Sequence, residues 1–388
     1  MARAVAERVD VLVIGGGVFG LSAARSCVAA GLGVIVAEAD RMGSGASGGI
    51  VGALVPHRPE PWRDFNRFQL DALTDLPERM AALAADSGRD PGYARTGRLS
   101  PLADAGQRAR AEAQVDVAAR NWGRNWNSDA RFEVLDAVPD GLADWLAPES
   151  CPHGVIHDTL SARVAPRRYL SALEAALAGQ AELREGWRCI GLDPAAGVAR
   201  FGQGEISTGH LVLAAGTGAF ALLEGLIGRT CGSGVKGQAA LLSVEAPEGL
   251  PVIQGDGLYI VAHPQGGVAV GSTSEKTWDE PGCDERLDAL IARARRLSPA
   301  LAQAEVTERW AGIRPRAPGN APMVGKLPRL ERVVMAAGGY KIGLGIAHLI
   351  GDAVAAMVRG EAPRHPLPAE FAPERHLARH LARGAAVI

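Results

Sequence analysis

Long apolar runs are missing from this 388-residue chain; no stretch approaches the roughly 20 consecutive apolar residues needed to cross a bilayer. An excess of one charge is missing too. Lys plus Arg number 41 against 43 Asp plus Glu, a formal net charge of −2, which removes any general electrostatic reason to expect nucleic acid or an anionic membrane as partner. The five cysteines (Cys27, Cys151, Cys189, Cys231, Cys283) include no CxxC and no Cys/His pair at zinc spacing, so neither a metal site nor a disulfide framework is expected. Met1 to Arg8 lacks the apolar region of a signal peptide, and the expectation is a cytoplasmic protein. Internal repeats and low-complexity linkers are likewise absent.

What is present is a chain that is 47% hydrophobic, ample for a large core, and rich in glycine at 49 residues. Its start reads as one βαβ unit. Val9 to Ile14 is a short β-branched run ending in glycine, and Val18 to Ala30 follows with the spacing of a buried helix face. Val34 to Ala37 is the second strand, ending at Glu38. Residues 62–150 are more polar and read as helical, with Asp64–Ser87 and Asp104–Ala119 as helices; Pro166–Gly179 is another. Leu211–Ala215 and Val333–Ala337 are further buried strands. Between Ala239 and Ser272, short strands broken by Gly and Pro give an antiparallel signature. Cys283–Leu297 and a segment from about Gly345 to Arg359 return to helix. Dinucleotide-type elements thus sit at the start, middle and end, which points to a nucleotide domain assembled from discontinuous segments.

Gly15-Gly16-Gly17-Val18-Phe19-Gly20 satisfies GxGxxG between a strand and a helix. Gly15 permits the tight turn, Gly17 admits a pyrophosphate to the backbone, and Gly20 lets the helix pack on the sheet. Glu38 stands where a ribose-binding acid belongs. GxGxxG does not separate NAD from FAD; the following run of small residues, Arg41 to Gly49 (RMGSGASGG), favours FAD. It offers backbone NH groups and hydroxyls without bulk, suited to phosphate and an isoalloxazine edge.

Taken together, these pieces resemble the D-amino-acid oxidase superfamily of FAD-dependent oxidoreductases, most closely its glycine oxidase and sarcosine oxidase branch. Seven blocks carry the likeness in the family's order: VLVIGGGVFGLSAA with Glu38, GSGASGG, ARVAPRRYLSAL, HLVLAAGTGAF, GLYIVAHPQGGVAVGSTSE, WAGIRPRAPGNAPMVG and GGYKIGLGIAH. The resemblance implies an α/β fold: a discontinuous Rossmann-like FAD-binding domain (1–85, 150–220, 312–364) capped by a mixed or antiparallel-sheet α+β substrate domain (86–149, 221–311), with a tail at 365–388. It implies non-covalent FAD, since no cysteine falls in the 310–345 blocks. For that cofactor it designates Gly15, Gly17, Val18, Phe19, Gly20, Glu38, Ala39, Arg41, Ser44, Gly45, Ala46, Ser47, Gly48 and Gly49. Cys189, Ala215, Gly216, Gly312, Arg314, Gly339, Tyr340, Lys341, Ile342 and Gly343 complete the set.

The same pattern makes Arg314 the clamp for a substrate carboxylate, a role that suits a planar guanidinium with a stiffening proline behind it. Arg316 is its competitor two residues on. Tyr259 matches a substrate-facing tyrosine, and Lys341 matches a basic or polar position beside the flavin, where a cation stabilises charge developing on the reduced ring. His57 (in LVPHRP), Tyr340 and His348 are further candidates. Two departures stand out: Pro318-Gly319-Asn320 replaces the usual Pro-Asp-Gly, and Val268 or Ala269 stands where sarcosine oxidases carry an oxygen-activating lysine. The expected reaction is oxidation of a small amino acid (glycine, D-amino acid or N-alkyl glycine) by hydride transfer from Cα to flavin N5, giving an imine that hydrolyses. A secondary-amine or 2-hydroxy-acid dehydrogenase, or a non-catalytic flavoprotein subunit, stays open as an alternative. So do the substrate side chain, the electron acceptor, a homo-oligomer or partner subunit, and the role of the basic tail ERHLARHLAR.

Overall fold

The computed structural model describes residues 7–124, 130–263 and 266–384. An eight-stranded sheet runs in the order Met323–Leu327, Leu330–Ala337, Gly204–Leu213, Glu7–Ile14, Val34–Ala37, Glu182–Arg184. The Cys189–Asp193 and Val198–Phe201 strands extend from Gly204–Leu213. The central pairings are parallel, with Leu12 opposite Leu211 and Val11 opposite Val34; the Met323–Leu327 edge strand is antiparallel.

Side-chain alternation explains why these strands read as continuous apolar runs. Val11, Val13, Val34 and Val36 face the helices Val18–Ala29, Asp64–Ser87, Pro166–Leu177 and Gly343–Arg359. Leu12, Ile14, Ile35 and Ala37 face the opposite side, with Phe220 and Leu223 of the Thr217–Ile227 helix. Both faces are covered, as a parallel sheet requires.

The second eight-stranded sheet runs Glu305–Arg316, Ser233–Ser243, Gly267–Gly271, Leu258–His263, Val252–Gly255, Arg98–Pro101, Val155–Asp158, Phe132–Leu135. The antiparallel reading of 239–272 holds within it. One face packs Ala240, Leu242, Leu258, Ile260, Val268 and Val270 against Leu287, Leu290, Ile291 and Ala294 of the Glu285–Leu297 helix. That helix begins two residues later than expected because Asp284 caps it, its carboxylate accepting from Arg286 N at 3.0 Å. Asp104 likewise caps the Ala105–Ala118 helix instead of joining it.

Two expectations need correction. The 62–150 region is not helical throughout: Arg98–Pro101 and Phe132–Leu135 are strands of the second sheet. Residues 155–158 and 312–316, assigned to the nucleotide-binding part from the sequence, are also hydrogen-bonded into that second sheet. The basic tail forms the Pro373–Gly384 helix, in which buried His376 meets the Pro318 and Pro322 carbonyls, each at 3.0 Å, and Leu377 packs on the core; the tail is anchored intramolecularly there. Among the described residues, no helix is long and apolar enough to cross a membrane.

Candidate active site

The carboxyl ends of the parallel strands, at Ile14, Ala37 and Ala337, open into one deep cleft of about 1410 Å³ whose far wall is the exposed face of the second sheet. Ligands of open α/β sheets bind at such strand ends. Helices Val18–Ala29, Thr217–Ile227 and Gly343–Arg359 begin there, at Gly17, Gly216 and Ile342, and none of those three residues supplies a side-chain cap. The positive ends of three helix dipoles therefore point toward the cavity, an anion-favouring environment.

The glycine turn is pressed into place by its neighbours. Gly15 has φ +111°, and a Cβ there would lie 2.5 Å from Ala215 Cα. Glu38 secures the turn: one carboxylate oxygen accepts from Gly16 N at 2.7 Å and the other from Asp40 N at 3.0 Å. Ser47 Oγ accepts from Val18 N at 3.1 Å, joining the small-residue run to the first helix.

Most designated cofactor positions line the cleft: Gly15, Gly17, Val18, Phe19, Glu38, Ala39, Ser44, Gly45, Ala46, Ser47, Gly49, Cys189, Ala215, Gly216, Arg314, Gly339, Tyr340, Lys341, Ile342 and Gly343. Four do not. Gly20 sits against the Gly15 carbonyl and Gly48 against the Gly43 carbonyl, so each closes a turn. Arg41 is exposed away from the cavity, contributing its carbonyl to Ser44 N. Gly312 makes room for the Trp310 indole, which itself lines the cleft.

Tyr259, Arg314, Tyr340, Lys341 and His57 all line the same cavity. Arg314 Nη2 donates to Ser272 Oγ at 2.6 Å and Nη1 to the Thr273 carbonyl at 3.1 Å. Its guanidinium lies against the backbone of Gly237 on the neighbouring strand, where any Cβ would collide with it. Burial pushes its pKa down, opposed by Tyr340 and Glu275, yet a guanidinium stays charged in proteins. Among the described residues it has no ion-pair partner. Arg316, by contrast, reaches Ser233 Oγ at 3.2 Å and does not line the cleft.

Tyr259 pairs with Gly271, the residue before the serine that holds Arg314, which brings the two side chains to one wall. The Tyr340 hydroxyl lies 3.2 Å from Ser274 Oγ, and Lys341 is exposed with its ammonium 5.6 Å from the Tyr340 ring centre. His57 Nδ1 meets Oε1 of buried Gln69, and burial lowers the ring's pKa. Val268 and Ala269 are fully buried. The lysine nearest them in the sheet, Lys236, turns to the other face, with Nζ 2.8 Å from Asp284 and 3.0 Å from the Glu280 carbonyl.

Fold and cleft together define a dinucleotide-type α/β protein with a guanidinium in the cleft wall. The chain belongs to the DAO family of FAD dependent oxidoreductases, which matches residues 10–357. It is 31% identical to glycine oxidase of Pseudomonas putida, covering 95% of this chain and 99% of that one. To the Pseudomonas aeruginosa glycine oxidase it is 30% identical, with 95% and 99% covered. In structure it is similar to glycine oxidase from Geobacillus kaustophilus, with a TM-score of 0.83 at 23% identity over 94% of this chain and 98% of that one. Iminodiacetate oxidase from Chelativorans sp. BNC1 matches at TM-score 0.81 and 24% identity, covering 94% and 98%. The protein is an FAD-dependent oxidoreductase.

Several cleft residues escaped the sequence reading: Arg98, Gln254, Ser272 and Trp310, with Gln107, Arg110 and Gln114 of the Ala105–Ala118 helix at the outer end. A usable signal existed for Gln254. The Asp256-Gly257 pair, both with positive φ, makes a two-residue hairpin loop, and counting outward pairs Gln254 with Tyr259.

His348 lies outside the main cleft, packed beside Asp75, Arg79 and Asp352. Burial, the dominant cause, pushes its pKa down from 6.5 to about 4, and neither ring nitrogen has a hydrogen-bond partner. The unfolded chain therefore binds a proton in the window from 6.5 to 4 that the native chain refuses. Stability due to the neutral ring is present in full above pH 6.5 and is lost as pH falls through 4, about 3 kcal/mol in all. A His348→Gln variant should show a flatter fall of Tm between pH 6.5 and 4 than the parent. Parallel curves would remove His348 as the cause.

Proposed function

We propose that the protein oxidises a small amino acid of the glycine, D-amino-acid or N-alkyl-glycine type. The observation that carries this reading is Arg314: a partly buried cation in the cleft wall with two fixed hydrogen bonds and no carboxylate partner among the described residues. Placing an anion against it relieves the cost of a desolvated charge, and a carboxylate fits the guanidinium fork. Tyr259 offers a hydroxyl beside it. Tyr340 and Lys341 close the cofactor side, and His57 bounds the outer pocket.

The first sheet and its helices make up the FAD-binding domain in this reading, and the second sheet supplies the substrate-binding wall. Gly15, Gly17 and the three helix starts would hold the phosphates and the ring edge, with Glu38 toward the ribose. When bound, FAD would supply the two-electron acceptor for a hydride leaving the substrate's Cα. The chain's own part is to fix the carboxylate at Arg314 so that the carbon next to it has one orientation; such positioning supplies much of the rate. The amine has to be neutral when hydride leaves, which requires no dedicated base in the cleft, and the released imine hydrolyses in water.

Anaerobic titration of the purified yellow protein with glycine, sarcosine, D-amino acids, proline and 2-hydroxy acids tests this directly. Bleaching by one of the amino acids is the expected result. Bleaching by proline or a 2-hydroxy acid instead moves the protein to the corresponding dehydrogenase. Retained flavin that no acid bleaches would mark a non-catalytic subunit.

A further inference from the structure

Tyr259 is the last member of a directed chain of hydrogen bonds. Its hydroxyl oxygen accepts from Gln254 Nε2 at 3.0 Å, across the hairpin that sets the two residues opposite each other. The other end of the Gln254 amide is met by Arg98 Nη1. A guanidinium has only donors, so the Gln254 atom it touches must be the oxygen, and the atom turned to Tyr259 must be the NH₂. Arg98 is itself fixed: its Nε lies 2.7 Å from Oδ2 of Asp158, a carboxylate with no exposure, whose Oδ1 accepts from Ser161 N at 2.8 Å. Proton donation thus runs one way, from Arg98 to Gln254 to Tyr259. The phenolic proton left over has no acceptor in the protein among the described residues. Arg98, Gln254 and Tyr259 all line the cleft.

We infer that Asp158, Arg98 and Gln254 are positioning residues that make the Tyr259 hydroxyl a dedicated donor into the cleft, selecting substrates that present an acceptor atom there. A free phenol rotates and takes either a donor or an acceptor. With Gln254 occupying a lone pair and excluding the proton from its own side, the hydroxyl favours a carboxylate oxygen over an amide NH₂ at the same spot. Burial raises the Tyr259 pKa, which keeps the proton on the oxygen. This inference rests on the reading of Arg314 and Tyr259 as the carboxylate site.

Gln254→Glu supplies the critical test. The new carboxylate still pairs with Arg98 but presents an acceptor to Tyr259, turning its proton away from the cleft. The probes are acetate and acetamide, titrated against the visible flavin spectrum of the holoprotein. In Gln254→Glu and in Tyr259→Phe, the Kd for acetate should rise about tenfold, as expected for one lost hydrogen bond to a charged group. The double variant should be no weaker than either single one, and acetate should lose its advantage over acetamide. Gln254→Met, which neither donates nor accepts strongly, should have a smaller effect. Multiplicative losses in the double variant, or an acetate Kd unmoved by Gln254→Glu, would overturn the relay. Arg314→Ala separates the two ideas: if it leaves acetate binding unchanged, or if acetate fails to perturb the parent protein, the carboxylate site itself falls.

Discussion

Arg314→Ala should lower kcat/KM for the amino-acid substrate by about 30-fold to several thousand-fold, corresponding to the roughly 2–5 kcal/mol lost when one partner of a desolvated charge pair is removed. The wide range reflects how much water enters the space the guanidinium leaves beside Gly237. The loss should be selective. A neutral amine of the same size never used the clamp, so its slow turnover should change little between parent and variant. Arg314→Lys keeps the charge but loses the fork that meets Ser272 and Thr273 together, and should fall between. Thr273 is itself held: Gln238 N donates to its Oγ1 at 2.9 Å, and Gln238 Nε2 donates to Glu275 at 2.9 Å, which pairs with Lys236. Equal kcat/KM in parent and alanine variant would take Arg314 out of the mechanism.

Gly17→Asp is the second large effect, and its value is that stability and cofactor binding should move in opposite directions. Gly17 has φ −80° and ψ −178°, an extended conformation open to any residue, and a Cβ there meets only Ser47 Oγ and Cβ, at 3.2 and 4.0 Å. As N-cap of the Val18–Ala29 helix, aspartate is among the favoured residues, so the apoprotein should melt no lower than the parent. For FAD the same carboxylate is a fixed negative charge where the pyrophosphate belongs. At about 4 Å and an effective dielectric of about 20, one such repulsion is worth about 4 kcal/mol, near a thousandfold in affinity. The variant should purify colourless, folded and poorly reconstituted by added FAD. A yellow Gly17→Asp protein would mean that the phosphates lie elsewhere.

Much of the nucleotide-binding half was legible because its signals are local. Val11 to Ile14 and Val34 to Ala37 are buried on both faces and so carry no polar interruption, and GxGxxG with Glu38 lies within one βαβ unit. The second sheet was legible only at 239–272, where short strands follow one another directly. Arg98–Pro101 and Phe132–Leu135 were missed because they are four-residue strands with polar members, paired through distant Val155–Asp158. Arg98 became a cleft residue through those long-range pairings, and nothing in its immediate neighbours announces Asp158 as its partner. Arg314 stands out through its block, but its lack of an ion-pair partner among the described residues is a fact of packing that no linear pattern states.

The order in which the cleft's parts occur along the chain bears on how the protein matures. A ribosome makes the glycine turn long before the Leu330–Ala337 strand and the start of the Gly343–Arg359 helix. Both segments line the same cavity. If both segments hold the cofactor, capture waits until the later one has been made, and a product cut short before Gly343 should stay colourless however well its βαβ unit forms.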